Sequence, residues 1–277
     1  MDVTFPDGAT VPALGIGTYR MGESSRRREQ EVATLQLAID LGVRVVDTAE
    51  MYGSGGAEKV VGVALRGGRR DRAFVVTKVL PSNASRRGVI AACERSLTRL
   101  SIERIDLYLL HWRGATPLAE TVEAFEQLLQ QGRIARWGVS NFDIDDMQQT
   151  VQVPGGTRCA ADQVYYSVSQ RGVEFDLLPW SQSHRVPTMA YSPFDEGRLL
   201  GDATLAAIGR KHAVSAAQVA LAWLLSKPGV IAIPKAGRIE HLRQNVAAAE
   251  LKLDSEDFAL IDRHWPPPAR RRPLAMV

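Results

Sequence analysis

Short runs of consecutive apolar residues, such as FVVT and DLYLL, alternate along the chain with longer segments that mix apolar and polar residues. Continuous apolar runs indicate strands that are covered on both faces, whereas the longer mixed segments indicate helices. Strands are predicted at 14–19, 43–48, 73–79, 104–110, 135–139, 160–165, 187–191 and 230–234. Helices are predicted between and after them at 27–41, 57–66, 86–100, 117–131, 143–150, 173–184, 214–227 and 239–248.

This alternation of strands and helices predicts an α/β fold, the closed parallel (β/α)8 TIM barrel. The segment VTFPDGATVPAL predicts an N-terminal β-hairpin, because two short alternating runs flank Pro-Asp-Gly. Two extra helices are expected towards the C-terminus, at 202–212 and 255–264. No linker divides the chain, so we expect one domain over 1–277, with the hairpin in 1–13 and a tail in 265–277.

The length and charge of the chain fit this fold. One barrel of about 250 residues accounts for the 277 residues. The net charge is only +3, and two arginine runs, 26–28 and 270–272, are the strongest basic features. No aromatic-rich basic stripe accompanies them. We therefore expect a solvated helix start and a loose tail, and no nucleic-acid partner.

The cysteines and the lengths of the apolar runs indicate in which cellular compartment the protein is expected. Cys93 and Cys159 are the only cysteines, and their placement predicts neither a disulfide framework nor a metal site. A reducing compartment is the default for such a chain. The N-terminus lacks the features of a signal peptide, and no apolar run reaches the roughly 20 residues that span a bilayer. We expect a cytoplasmic protein without a membrane partner.

Four polar residues stand at or just past the ends of predicted strands: Asp47, Tyr52, Lys78 and His111. The carboxyl ends of barrel strands converge on one mouth, so these residues are expected to meet in space. An ammonium beside a phenol lowers the phenol pKa from its ordinary value of about 10. An aspartate can hold that ammonium in place. The set therefore predicts a proton-transfer site.

The motifs DTAEMYG, VTKV, LLHW, WGVSNF, AYSP and IPKA occur in this order, and together they resemble the aldo-keto reductases. The resemblance extends from Gly15 to Asn245, and GGAEKVVG, QVPGG and RGVEFDLLPW resemble the bacterial methylglyoxal-reducing members. It implies NADPH-dependent reduction of aldehydes or activated ketones. Tyr52 would be the general acid, Lys78 would lower the Tyr52 pKa, Asp47 would pair with Lys78, and His111 would contact the substrate carbonyl.

The resemblance also implies where the nicotinamide lies. The chain has no GxGxxG after a strand, so a Rossmann site is not supported. Ser140, Asn141 and Gln163 match the residues that hold the carboxamide. Tyr191 matches the aromatic ring on which the nicotinamide stacks, and Ser192 follows it in AYSP.

The segment IPKAGRIEHLRQN follows the last predicted strand. By resemblance, Lys235 would bind the 2′-phosphate of NADP and Asn245 would contact adenine. The chain departs from the family pattern at Ala236, where serine is usual, and at His241, where arginine often stands. Arg238 can compensate by pairing with phosphate. We therefore predict NADPH as the cofactor, with NADH as a weaker alternative.

The substrate side of the mouth is predicted to be an apolar cleft lined by Tyr19, Met51, Trp112 and Phe142. The expected partner is a small carbonyl compound, such as a methylglyoxal-like dicarbonyl, and the expected state is a monomer. Two alternatives stay open. Lys78 could form a Schiff base with substrate, as in a lyase, or the protein could be a cofactor-sensing regulatory subunit.

Overall fold

The computed structural model describes residues 2–276. Two short strands come first, β1 (Asp2–Thr4) and β2 (Thr10–Pro12), and they pair antiparallel. The Phe5 ring stacks on Phe74 at 5.1 Å between ring centroids, at the start of a barrel strand. The predicted hairpin therefore forms, and it covers the end of the barrel opposite the carboxyl ends of its strands.

Eight parallel strands form one sheet in sequential order. They are β3 (Gly15–Gly17), β4 (Val45–Asp47), β5 (Phe74–Val79), β6 (Leu107–Leu110), β7 (Trp137–Ser140), β8 (Asp162–Tyr165), β9 (Thr188–Tyr191) and β10 (Val230–Ala232). The sheet closes on itself through Gly17 N, which donates to Pro234 O at 3.0 Å, and Ala232 N, which donates to Ala13 O at 2.8 Å. The predicted (β/α)8 barrel is confirmed.

Gly17 lies at this closure. A Cβ atom at Gly17 would lie 3.0 Å from the carbonyl oxygen of Ile233 on the neighbouring segment. Such a contact is tighter than most side chains make, and a larger residue would push the two segments apart by a few tenths of an ångström. Glycine at this position therefore lets the first and last strands approach each other at the mouth.

Helices surround the barrel and follow the predicted pattern. They are α1 (Arg28–Asp40), α2 (Gly56–Ala64), α3 (Arg86–Leu100), α4 (Leu118–Gln130), α5 (Ile144–Gln152), α6 (Leu177–Ser183), α7 (Ala203–Lys211), α8 (Ala216–Leu225), α9 (Ile239–Ala248) and α10 (Ser255–His264). The two extra C-terminal helices correspond to α7 and α10. Among the described residues, none of the helices has the length and apolar character needed to cross a membrane.

The C-terminal tail corrects one expectation. The sequence predicts that the arginine run 270–272 is loose, but the guanidinium of Arg271 contacts the carboxylates of Asp143, Asp145 and Asp176, at 2.8 Å for Asp145. Leu274 packs against the apolar core. The tail is docked because three carboxylates, separate along the chain, converge on one cation. The run 26–28 is exposed at the start of α1, as predicted.

Asp162 in β8 is a buried acid, and within residues 2–276 neither of its carboxylate oxygens makes a hydrogen bond of normal geometry; the nearby backbone N–H groups of Phe142 and Gln163 only partly offset its burial. Burial raises its pKa well above the ordinary value, so the folded protein holds this group protonated to a higher pH than the unfolded chain does. Stability should therefore fall as pH rises between the two pKa values, by up to about 1.4 kcal/mol per pH unit. Asp162→Asn should flatten that dependence, as measured by urea unfolding between pH 5 and pH 8. Parallel slopes for the two proteins would contradict this account.

Candidate active site

The barrel brings the four predicted proton-transfer residues together at its mouth. Asp47 is the last residue of β4, Lys78 lies one residue before the end of β5, and His111 directly follows β6. Tyr52 begins a 3₁₀ turn, Tyr52–Gly55, that leads from β4 into α2. The four are close because neighbouring parallel strands end at the same edge.

Lys78 is the centre of the cluster and is fully buried. Its Nζ donates to Asp47 Oδ1 at 2.9 Å, to Asp47 Oδ2 at 2.8 Å and to the carbonyl oxygen of Thr48 at 2.9 Å. Burial by itself lowers the pKa of Lys78, but the attraction of Asp47 and Tyr52 outweighs it, and the net shift is upward. Lys78 is therefore a fixed cation in the active site.

Tyr52 lies next to this cation. Lys78 Nζ donates to Tyr52 Oη at 3.3 Å. Burial raises the pKa of Tyr52, and although Lys78 lowers it, the net direction without a ligand is upward. Lys78 thus acts on the Tyr52 pKa in the predicted direction, but desolvation of the phenolate exceeds the stabilisation by the ammonium. Tyr52 is therefore a neutral phenol that can donate its proton.

His111 is neutral. Burial, with Lys78 adding to it, lowers the pKa of His111 to about 3. Its Nδ1 is buried and has no hydrogen-bond partner among the described residues, and its ring meets the Tyr52 ring edge-on at 5.8 Å between centroids. Nε2 is thus the nitrogen left to reach a ligand, as a neutral donor or acceptor.

A cavity of about 510 Å³ opens at this mouth, a volume typical of small-molecule sites. Asp47, Tyr52 and His111 contribute to its wall. Further residues in the wall are Gly17, Tyr19, Arg20, Met51, Trp112, Ser140, Asn141, Gln163, Tyr191, Ser192, Pro193, Phe194, Glu196, Gly197, Ile233, Lys235 and Met276.

The residues proposed for the nicotinamide form one hydrogen-bonded group along this wall. Ser140 Oγ donates to the carbonyl oxygen of Gln163 at 2.8 Å, and Tyr191 Oη donates to Asn141 Oδ1 at 2.7 Å. Gln163 Nε2 donates to Asp47 Oδ1 at 2.8 Å. The Tyr191 ring stacks on Tyr165 at 5.4 Å. The group is therefore held rigidly against the proton-transfer residues.

The residues predicted at the phosphate end are spread along the segment after β10. Lys235 reaches the cavity wall. Arg238 is the residue that precedes the first turn of α9, and its side chain and that of His241 are exposed. Asn245 is buried one turn after His241, on the same side of α9. Of these four residues, Lys235 lines the cavity that the described residues form, and Arg238, His241 and Asn245 follow it along the chain.

Three of the four residues predicted for the substrate cleft lie in the cavity wall. Tyr19, Met51 and Trp112 line the cavity, and the first two are among the exposed large apolar residues, at 47% and 40%. Phe142 instead lies fully buried in the core. The reason is its position after Asn141, which has a left-handed backbone (φ 59°). The chain turns there, and Phe142 continues into the barrel layer rather than the mouth.

Several cavity residues were not found from the sequence: Arg20, Pro193, Phe194, Glu196, Gly197 and Met276. The four from 193 to 197 follow β9 directly, so the rule that residues after barrel strands line the mouth could have indicated them. Met276 had no such signal, because its position depends on the contacts of Arg271 with distant carboxylates.

One cluster outside the mouth has side chains that can bind metal. Within residues 2–276, His212, Asp254 and Asp257 have potential ligand atoms within 4.8 Å of one another. The ammonium of Lys211 contacts Asp254 at 2.6 Å and Asp257 at 3.0 Å. The cation of this cluster is therefore supplied by the protein itself, and it joins α7 to α10.

The comparison with family models decides what kind of protein carries this site. The model of the aldo/keto reductase family matches residues 13–266. The chain belongs to the aldo/keto reductase family. Its resemblance to that family in the ordered motifs is thereby confirmed, and the protein is an oxidoreductase.

Several relatives and solved structures resemble the chain over almost its whole length. Methylglyoxal reductase YeaE of Escherichia coli is 50% identical over 280 residues, which cover 99% of this chain and 98% of YeaE. Glyoxal reductase of Bacillus subtilis is 30% identical, over 94% of this chain and 91% of its own. An aldo/keto reductase of Klebsiella pneumoniae, crystallised with NADP and acetate, has a TM-score of 0.97 and 49% identity, over 100% of this chain and 99% of its own.

The geometry bears on the alternative in which Lys78 forms a Schiff base. A nucleophilic amine must lose its proton, yet both oxygens of Asp47 hold the Lys78 ammonium and its pKa is raised. Lys78 is also fully buried, behind Tyr52 and Asp47. Within this aldo/keto reductase site, Lys78 is placed to stabilise charge and not to attack a carbonyl.

Proposed function

We propose that the protein reduces aldehydes and activated ketones, methylglyoxal-like dicarbonyls among them, to alcohols, with NADPH as the hydride donor. The observation that carries the proposal is the contact of Tyr52 Oη with the buried Lys78–Asp47 pair, at the wall of an open cavity. The methylglyoxal and glyoxal reductases among its relatives support the substrate class.

The residues along the cavity suit a nicotinamide dinucleotide. Gln163 and Asn141 present amide groups to the cavity, as a carboxamide partner requires, and Tyr191 presents an aromatic ring. Lys235 adds an ammonium to the cavity wall, where an added phosphate would need a cation. The Klebsiella aldo/keto reductase structures, crystallised with NADP and with NADPH, support the same choice.

The chemistry follows from the charges around the carbonyl oxygen. When bound, the nicotinamide supplies the hydride for the carbonyl carbon. Tyr52 donates its proton to the carbonyl oxygen as negative charge develops there. Lys78 stabilises the resulting phenolate, and Asp47 holds Lys78 in place. The neutral imidazole of His111 orients the carbonyl oxygen, because an uncharged ring can donate one hydrogen bond without competing as an acid.

The proposal is tested by following cofactor oxidation with NADPH and with NADH against a panel of aldehydes, dicarbonyls and simple ketones. We expect turnover of methylglyoxal-like substrates with NADPH and weaker turnover with NADH. Tight NADPH binding without turnover of any carbonyl in the panel would instead favour the cofactor-sensing regulatory subunit. A cytoplasmic location and a monomeric state also stay predictions, to be checked by cell fractionation and light scattering.

Lys235→Ala should weaken NADPH binding while leaving NADH affinity almost unchanged. A hydrogen bond to a charged group contributes about 1.5–3 kcal/mol, so the expected loss is roughly 10- to 150-fold in Kd. NADH has no 2′-phosphate that could lose this partner. Titration of cofactor fluorescence measures both constants. An equal loss for the two cofactors would mean that Lys235 supports the structure of the segment and does not bind the phosphate.

A further inference from the structure

Two acidic residues lie on either side of Tyr52 in the chain, and both are buried. Glu58, in the first turn of α2, is fully buried, and the side chain of Glu50 is only 7% exposed. Neither lines the cavity that the described residues form. They have no place in the proton transfer described above, so their burial needs another explanation.

Both carboxylates bind the chain segment that carries Lys78, Glu58 just before the lysine and Glu50 just after the end of β5. Thr77 Oγ1 donates to Glu58 Oε1 at 2.6 Å. Leu80 N donates to Glu50 Oε1 at 2.9 Å. The segment with Tyr52 is therefore fastened to the segment with Lys78 at two points, directly before and two residues after the lysine.

Two arginines of α3 also contact the carboxylates of Glu58 and Glu50. Arg99 Nε donates to Glu58 Oε2 at 2.5 Å, and Arg95 lies 3.7 Å from Glu50 Oε2. These arginines are four residues apart and so share a helix face. Arg99 also covers the turn that begins at Tyr52, since a Cβ atom at Gly55 would lie 2.6 Å from Arg99 Cδ.

We propose that Glu50 and Glu58 are positioning residues that set the distance between Tyr52 Oη and Lys78 Nζ. The inference rests on the proposed function, in which Tyr52 is the proton donor. That distance is 3.3 Å, the longest of the four polar contacts of Lys78. The other three contacts bind Lys78 to Asp47 and Thr48, so a loosened segment would lengthen the tyrosine contact first.

The distance matters because Tyr52 depends on Lys78 for stabilisation of its phenolate. Desolvation and the negative charge of Asp47 both destabilise that phenolate. The charged or titratable groups that face Tyr52 are Lys78, Asp47, His111 and Tyr19. At an effective dielectric constant of about 20, lengthening the contact by about 1 Å raises the Tyr52 pKa by roughly 1 pH unit. The pKa of Tyr52 therefore reports on the distance.

Thr77→Val and Thr77→Ser form a matched pair for the test. Valine keeps the shape of the side chain and removes the hydroxyl that binds Glu58, whereas serine keeps the hydroxyl. The alkaline limb of the pH profile for alcohol oxidation, where phenolate accepts the proton, should move upward by roughly 1 pH unit in Thr77→Val. It should stay in place in Thr77→Ser.

A second readout does not require turnover. In the protein without cofactor, NMR titration of ¹³C-labelled tyrosine, with Tyr52 assigned by Tyr52→Phe, should show the same upward shift in Thr77→Val. In the assay, kcat should fall roughly 10- to 100-fold, as a displacement of about 1 Å can cause, while the Kd of NADPH stays unchanged. If wild type reduced no carbonyl at all, the proposed function would fail, and the titration would still measure the positioning.

Glu50→Ala tests the other fastening point and carries the same expected shift, so the inference stays testable if Thr77→Val does not fold. A shift in both variants, absent in Thr77→Ser, supports the proposal. A Tyr52 titration and a pH profile that stay at the wild-type position in each variant that folds would overturn it, because the two carboxylates would then only stabilise the barrel.

Discussion

Tyr52→Phe is expected to abolish most carbonyl reduction while leaving NADPH binding nearly unchanged. Phenylalanine keeps the ring that packs against Tyr19 and His111 and removes the hydroxyl that lies 3.3 Å from Lys78. A general acid contributes roughly 10²- to 10⁴-fold to rate, and kcat should fall by that factor. Steady-state kinetics with methylglyoxal, together with a fluorescence titration of NADPH, measures both quantities.

Two checks make this result decisive. The variant should unfold at nearly the wild-type urea concentration, because it loses one hydrogen bond at the edge of the cavity. Chemistry must be shown to limit the rate, for example by a deuterium effect on kcat. If the variant then keeps more than about a tenth of wild-type kcat, Tyr52 is not the acid.

Lys78→Met is expected to have the largest effect on stability. It leaves the carboxylate of Asp47 buried with the side-chain amide of Gln163 as its remaining side-chain partner. Removing one member of a buried ion pair costs about 3–5 kcal/mol. Because the folded pKa of Lys78 is raised, the stabilisation is fully present below the unfolded value near 10.4 and is lost only above it. Urea unfolding at pH 7 should therefore show the whole effect.

The double variant Asp47→Asn, Lys78→Met is the matched control. It removes both charges and should be less destabilised than Lys78→Met alone, because no unpaired carboxylate is left in the interior. In Lys78→Met the alkaline limb of alcohol oxidation should also move upward, since the ammonium no longer favours the Tyr52 phenolate. Full activity with an unmoved pH profile would rule out this role for Lys78.

The fold and the proton-transfer site could be predicted because both depend on local patterns and on one rule of barrel geometry. FVVTKV indicates a strand by its apolar run, and the rule that strand ends converge then places Lys78 beside Asp47 and Tyr52. The resemblance to the aldo-keto reductases, and not this rule, indicated that Gln163 lies at the mouth. Its hydrogen bond to Asp47 could not be predicted, because it joins residues 116 positions apart.

Three features of the folded protein were not indicated by the sequence, because each depends on contacts between residues that are far apart in the chain. The net pKa shift of Tyr52 is the difference between desolvation and the attraction of Lys78, and only the burial in the folded protein determines which is larger. Phe142 looks like a cleft residue in WGVSNF, yet the turn at Asn141 directs it into the core. The composition of the tail indicates a loose segment, yet Arg271 forms ion pairs with three carboxylates on other parts of the chain.

The most direct test of the central claim is a single turnover with NADPH that carries deuterium at both positions of nicotinamide C4 and methylglyoxal as the substrate. We expect an alcohol product with one deuterium on the former carbonyl carbon, formed rapidly by wild type and only slowly by Tyr52→Phe. A product without deuterium, or a carbonyl adduct trapped on Lys78 by borohydride, would contradict it.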